Sequence, residues 1–297
     1  MPRRDCFRKG CTRIQSEFSL FLNRRRPPLF EGKSFCSEAC LRAHVKAEFV
    51  RRWNGMRNYP LRHFPRPRLG SILMQTAFVT REQLEEAVRL QKQANGEGRL
   101  GEWLVRLGFV QERQITLALA KQFGLPVIDL KNSEARGDAV RMVPPQVARS
   151  SRLFPVSYDE EQGSLRIAVA GPVNFNLQDA LRRMIGKRIA TYIGDDSAIE
   201  ALLDRCYGGD QEDLSKAPEF GSLEEFIEIL QNTVSAAVSR KATNFCAELL
   251  DRYFWVRLEF GAGSEHCFYR ALSSPVRIQA EPAMPERRYA AAMSGSR

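Results

Sequence analysis

No apolar run in the 297 residues reaches the ~18 to 20 needed to span a bilayer. The first residues carry no apolar stretch of the kind a secretory signal uses. Both absences point to the cytoplasm. No G-x4-G-K-[ST] occurs, so the loop that cradles the phosphates of ATP is missing. Gly32-Lys33-Ser34 ends like such a loop, but the Gly required five residues before Gly32 is replaced by Pro27. Histidine is scarce, with three in the whole chain. His63 and His266 have no partner in sequence, so neither marks a catalytic site. The chain is expected not to be an enzyme.

The length suffices for about two domains. The net charge of +10 is uneven: residues 1–67 hold 16 Lys and Arg against 5 Asp and Glu, and the remainder holds 29 against 30. The basicity therefore belongs to the N-terminal region. Such a patch suits nucleic acid, anionic lipid or an acidic partner, or is simply a solvated surface.

Four of the seven cysteines, Cys6, Cys11, Cys36 and Cys40, lie in the first forty residues as two close pairs. In a cytoplasmic chain paired cysteines read as a metal site, and four thiolates suit tetrahedral zinc. Phe35 to His44 resembles the second half of a treble-clef zinc finger, with Ser37 capping a helix whose first turn holds Cys40. His44 is an alternative ligand; the four cysteines are the expected set. Cys206, Cys246 and Cys267 have no metal spacing and read as buried or incidental thiols. Arg24, Arg25 and Arg26, followed by two prolines, form a basic loop that makes nucleic acid a rival partner.

The centre of the chain says the same thing twice. RLGSILMQTAFVTREQLEEAVRLQ runs from Arg68 to Gln91, and RLGEWLVRLGFVQERQITLALAKQ from Arg99 to Gln122. Internal repeats come first in reading a fold. Each copy predicts two short helices. Ala77 or Gly108 ends the first, at a position that favours positive φ. Thr80 with Gln83 forms a capping box for the second. A core face explains the aliphatics, but not the recurrence of Arg, Gly and Gln at the ends. Arg is a planar fork for phosphate or guanine, and a Gly beside it lets a ligand approach the backbone. Two equivalent sites in tandem suit a ligand with two equivalent halves, such as a cyclic dinucleotide.

The tandem pattern R-L-G-x2-L-x3-G-x6-L-x3-L-x2-Q resembles the MshEN domain, the cyclic di-GMP-binding N-terminal domain of secretion and pilus-assembly ATPases of the type II system. The resemblance implies that Arg68, Leu69, Gly70, Leu84, Val88 and Gln91 hold one half of the ligand. Arg99, Leu100, Gly101, Ile115, Leu119 and Gln122 would hold the other. Ala77, Val88 and Ile115 depart from the pattern, and the spacer Lys92 to Gly98 is longer than usual.

Beyond Gln122, strands are expected at Val127–Leu130, Leu153–Ser157, Leu165–Ala170 and Ile189–Ile193. Helices are expected at Val143–Arg149, Asn176–Ile185 and Ser197–Cys206. This order resembles the second half of the same domain and reads as a scaffold. Asp195-Asp196, just before a helix, reads as a cap. Leu223 to Val238 predicts a long helix with Phe226, Ile227, Leu230, Val234 and Val238 on one face. Ala242 to Glu248, with Val256-Arg257 after it, resembles a remnant of the second N-terminal domain of secretion ATPases.

The expected fold is α+β multidomain: a basic zinc-finger-like module (1–53), a linker (54–67), a helical tandem-repeat subdomain (68–126) packed on an α/β subdomain (127–209), a linker (210–221), a degraded C-terminal α+β domain (222–272) and a disordered tail (273–297). The expected function is a cyclic di-GMP-binding regulator or adaptor. The alternatives are a ligand-free adaptor of a secretion or pilus platform, and a zinc-finger nucleic-acid-binding regulator.

Overall fold

The computed structural model describes residues 6–11, 27–56, 67–130, 137–172, 174–208, 214–250, 253–261 and 263–272. Arg24 to Arg26, His63, most of the 54–67 linker and the 273–297 tail lie outside them. In chain order the elements are β1 (Leu29–Phe30), α1 (Glu38–Met56), α2 (Leu69–Gln75), α3 (Arg81–Gln93), α4 (Leu100–Arg106), α5 (Glu112–Phe123), α6 (Gly137–Met142) and α7 (Pro145–Ser150). Then come β2 (Leu153–Asp159), β3 (Ser164–Val169), α8 (Phe175–Ile185), β4 (Arg188–Ile193), α9 (Asp196–Tyr207), β5 (Glu219–Phe220), α10 (Leu223–Ser239), β6 (Asn244–Leu250), β7 (Tyr253–Phe260) and β8 (Gly263–Ala271).

Local chemistry sets most of these boundaries. Thr80 and Gln83 form the expected capping box at the start of α3. Asn174 caps α8, and Ser222 caps α10. Gly124 and Gly186 end α5 and α8 in the left-handed conformation. Ala77 and Gly108 also hold positive φ, 55° and 72°, as the repeats require.

The repeats form one small helical unit. α2 packs against α5 and α3 against α4, so each first helix pairs with the other copy's second helix. Ile72, Leu73, Val79, Ala87, Leu104, Val110 and Ala118 make their shared core. Next to it lies a three-stranded sheet in the order β2-β3-β4, antiparallel then parallel, with α8 as the crossover. Val127 to Leu130 does not make the expected strand. It contributes a single parallel bridge, Val127 with Ile193.

The third unit joins distant parts of the chain. A five-stranded sheet runs β1-β6-β7-β8-β5. β1 pairs in parallel with β6, Leu29 opposite Asn244 and Phe30 opposite Phe245. The N-terminal segment and the C-terminal region, separate in the sequence reading, thus share one sheet. Side chains alternate across it. Phe245, Ala247, Phe254 and Val256 face a core completed by α1 and α10. Cys246 and Trp255 join the core of the α/β unit, where α8 packs on β6. On α10 the buried face is Phe226, Leu230, Thr233, Val234 and Ala237; Ile227 and Val238 are only half-buried. Among the described residues no helix is long and apolar enough to cross a membrane.

Candidate functional site: the paired repeats and the cysteine cluster

The two Gln residues that close the repeats are used reciprocally. Gln91 donates to the carbonyl of Gly98, just before Arg99, at 2.8 Å. Gln122 donates to the carbonyl of Pro67, just before Arg68, also at 2.8 Å. Each copy's last residue therefore fixes the entry to the other copy's Arg-Leu-Gly. The longer spacer does not break this relation. Its extra length is absorbed in a turn, where Asn95, Gly96 and Gly98 adopt positive φ and Gly96 donates to the Gln91 carbonyl.

The glycines serve helix packing. A Cβ on Gly70 would lie 2.9 Å from Leu84, and one on Gly101 would lie 3.0 Å from Ile115. Both glycines are buried. The missing side chain lets the first helix of each repeat approach the second helix of the same repeat. Leu69, Leu84, Val88, Leu100 and Ile115 are half-buried, and Leu119 is buried. The repeated aliphatics thus lie partly in the core and partly toward the surface.

The two arginines are not equivalent. Arg68 is exposed and has no side-chain partner among the described residues. Arg99 donates through Nε to Glu102 at 2.7 Å, through Nη1 to the Ala170 carbonyl at 2.6 Å, and through Nη2 to Asp196 at 2.7 Å. Arg152 bridges the same two acids, at 3.1 and 2.5 Å. Gly171 leaves room for this docking, since a Cβ there would collide with the Arg99 guanidinium. The difference has a sequence signal: the position of Glu102 in the first copy is Ser71.

Asp195 and Asp196 do not cap α9 with their side chains. Asp195 is at the N-cap position but accepts from the Thr116 hydroxyl at 2.5 Å. Asp196 carries Arg99 and Arg152. Burial raises its carboxyl above the usual range, against the pull of the two guanidiniums. The cap comes from Glu112 on α5, which accepts from the Ser197 amide and hydroxyl at 2.6 Å each. The second repeat is therefore seated on the α/β unit by Arg99, Glu102, Glu112 and Thr116.

The other candidate site is the cysteine cluster. The sulfurs of Cys6, Cys11, Cys36 and Cys40 all lie within 4.8 Å of one another. Cys11 is 3.7 Å from Cys36, Cys36 is 3.4 Å from Cys40, and Cys40 is 3.8 Å from Cys11. A zinc–sulfur bond of about 2.3 Å places tetrahedral thiolates ~3.8 Å apart, so the spacing fits a four-thiolate metal ion. Ser37 caps the helix that carries Cys40, accepting from its amide at 3.3 Å. Burial raises the Cys40 thiol, but hydrogen bonds from Arg8, Cys36 and Ser37 outweigh it and bring the value down to about 6. His44 is not in the cluster. It lies among the rings of Phe7, Phe30 and Phe35, at 5.5, 6.1 and 5.1 Å.

Among the described residues, His266 and the other cysteines join no metal-ligating cluster. His266 accepts from the Trp255 indole at 3.0 Å. Cys246 is buried, and Cys206 and Cys267 are half-buried. The described arginines of α1 are largely paired: Arg42 with Glu38, Arg51 with Glu48, and Arg52 with Glu31 and Glu48.

Comparison with known proteins matches the α/β unit first. Residues 123–213 fit the family model of the MshEN domain. The chain is 25% identical over 234 residues to the type IV pilus assembly ATPase PilB of Myxococcus xanthus, covering 71% of this chain and 40% of that protein. It is 27% identical over 140 residues to PilB of Thermus thermophilus, covering 47% and 16%. The chain thus spans less than half the length of these curated relatives. Among solved structures, that of MshE with cdg is 35% identical, covers 48% of this chain and 100% of that one, and has a TM-score of 0.41. The N-terminal domain of XpsE is 25% identical, covers 48% and 94%, and has a TM-score of 0.39. The residues that follow the tandem repeats, from the end of α5 through α9, are an MshEN domain, and the chain carrying it is a relative of the pilus assembly ATPases PilB.

Proposed function

We propose that the chain is a non-enzymatic regulator or adaptor that binds cyclic di-GMP on its paired repeats. The observation that carries this reading is the reciprocal pairing of the repeats. Gln91 and Gln122 make the same bond to the carbonyl before each Arg-Leu-Gly, which supports a ligand with two like halves although the two arginines differ in their partners. Arg68 is the cation offered to the ligand, through bidentate contact with phosphate or guanine. Arg99 holds the second repeat on the α/β unit. Leu69, Leu84 and Val88, with Leu100, Ile115 and Leu119, supply the apolar cover for the bases. Ligand binding shifts the packing of the repeats by its differential affinity for the two arrangements. The cytoplasm, where this second messenger acts, is the proposed location, and pilus or secretion assembly proteins are the proposed partners.

The cysteine cluster is proposed to hold a structural zinc ion through Cys6, Cys11, Cys36 and Cys40. When bound, the ion neutralises and cross-links the four thiolates. Arg8, whose Nη1 lies 3.6 Å from the Cys40 sulfur, offsets the remaining negative charge.

Titration calorimetry with cyclic di-GMP tests the main reading. Saturable binding by the wild type, lost in Arg68→Ala, is the expected result. A well-folded wild type that takes up no ligand overturns it, and the ligand-free adaptor then becomes the better reading.

A further inference from the structure

We infer that the four-cysteine centre governs whether the C-terminal sheet is folded, although the two lie some two hundred residues apart in sequence. The inference rests on the metal reading above and concerns what the metal controls. The first argument is connectivity. Cys40 sits in the first turn of α1, and the same helix carries Leu41, Val45 and Phe49, all fully buried, and Trp53 at 6% exposure. Those side chains do not form a core of their own. The Phe49 ring meets Phe254 of β7 at 5.4 Å and Phe226 of α10 at 5.9 Å. Trp53 stacks on Phe226 at 5.2 Å. Phe30, between the two cysteine pairs, meets Phe245 of β6 at 4.8 Å.

The second argument is the backbone. β1 closes the β6 edge of the sheet, with Leu29 donating to the Thr243 carbonyl and Glu31 to the Phe245 carbonyl, both at 3.0 Å. A two-residue strand has little pairing energy of its own. On its C-terminal side a tight turn, in which Phe30 and Lys33 bond each other's backbone, leads from it to Cys36. Arg42 then ties α1 to α10, donating to the Gln231 carbonyl and to the Ser235 hydroxyl at 3.1 and 2.6 Å.

The third argument is the cost of losing α1. A helix in a protein owes most of its stability to packing of its apolar face, and that face of α1 packs into this shared core. If α1 leaves, the fully buried rings of Phe226, Phe245 and Phe254 lose their cover on that face. The opposite face of the sheet is docked separately on the MshEN domain. Arg183 of α8 reaches the buried Glu248 at 2.6 Å, and Arg257 donates to the Met184 carbonyl at 2.7 Å. The metal centre therefore sits at one side of a layered stack, and the MshEN domain, with its own core, at the other.

Amide hydrogen exchange on the full chain tests this, read by mass spectrometry before and after a zinc chelator, with zinc content measured on the same samples. The expected result is loss of one zinc per chain and at least tenfold faster exchange in residues 29–53 and in β6, β7 and β8. Exchange in β2, β3 and β4 stays as it was, and added zinc restores protection. Coupling is reciprocal, so Phe254→Ala, which touches no cysteine, is expected to weaken zinc affinity at least tenfold. If zinc leaves and β6 to β8 exchange unchanged, or if Phe254→Ala binds zinc as the wild type does, the coupling is wrong and the metal reading survives. If the chain takes up no zinc at all, both are wrong.

Discussion

Replacing Arg99 with Ala separates the two arginines that the repeats make look alike. The substitution removes the bonds to Glu102, the Ala170 carbonyl and Asp196, at 2.7, 2.6 and 2.7 Å. Buried bonds to charged groups contribute about 1.5–3 kcal/mol each. These are partly exposed: the Arg99 side chain is 36% accessible and Asp196 28%. Solvent screening therefore takes most of the Coulomb share. Arg152 also stays on both acids. The net loss is about 2 kcal/mol, close to that of one well-formed charged bond. For a unit of this size about 2–4 °C accompanies each kcal/mol, so the apparent midpoint falls by ~4–8 °C. Arg68→Ala removes no described contact and shifts the midpoint by no more than ~2 °C. Thermal unfolding followed by circular dichroism measures both, and the Arg99 effect shrinks as salt is raised. Equal shifts for the two variants, or a larger one for Arg68→Ala, would refute the division of labour between them.

Two further predictions concern the backbone and pH. Ala77, at φ 55°, occupies a left-handed position that costs an L side chain roughly 1 kcal/mol. Ala77→Gly is expected to raise stability by up to about 1 kcal/mol, and Gly108→Ala, at φ 72°, to lower it by about as much, both read from urea midpoints. Burial, helped by Arg257, lowers His266 from 6.5 to about 4. Between those values the unfolded chain holds a proton that the folded chain does not, so stability falls as pH drops through this window. The loss reaches up to ~3 kcal/mol. Urea unfolding at pH 7 and pH 5 is expected to show a smaller difference in His266→Gln than in the wild type; equal differences would exclude His266 as the cause.

What could be read from the sequence was local or repeated. The paired helices of each repeat, the Thr80–Gln83 box, the left-handed Ala77 and Gly108 and the grouping of four cysteines all follow from short-range chemistry or from spacing. The misreadings share a cause: each depended on a partner far along the chain. Asp195 and Asp196 looked like caps because nothing local shows that Thr116, Arg99 and Arg152 reach them. Val127 to Leu130 has strand-like residues, but only one bridge to Ile193 is available there. The inequivalence of Arg68 and Arg99 had one visible trace, Ser71 opposite Glu102 in the repeat. The joining of β1 to β6 had none, because two residues carry no pattern long enough to register.

That last pairing constrains how the molecule is made. Gly32 donates to the Asn244 side chain across 212 positions, and β1 finds its neighbour only when β6 exists. During synthesis the segment with all four clustered cysteines leaves the ribosome before the strands that cover it and waits for them. Contacts of such long range slow folding, and the intervening MshEN domain has time to form in the meantime. Through that interval the thiols are accessible to oxidants and to competing metal ions, and Phe30, Phe35 and Phe49 face water. The nascent chain is thus vulnerable to misassembly at the cysteine segment for as long as the ribosome takes to travel from there to residue 244.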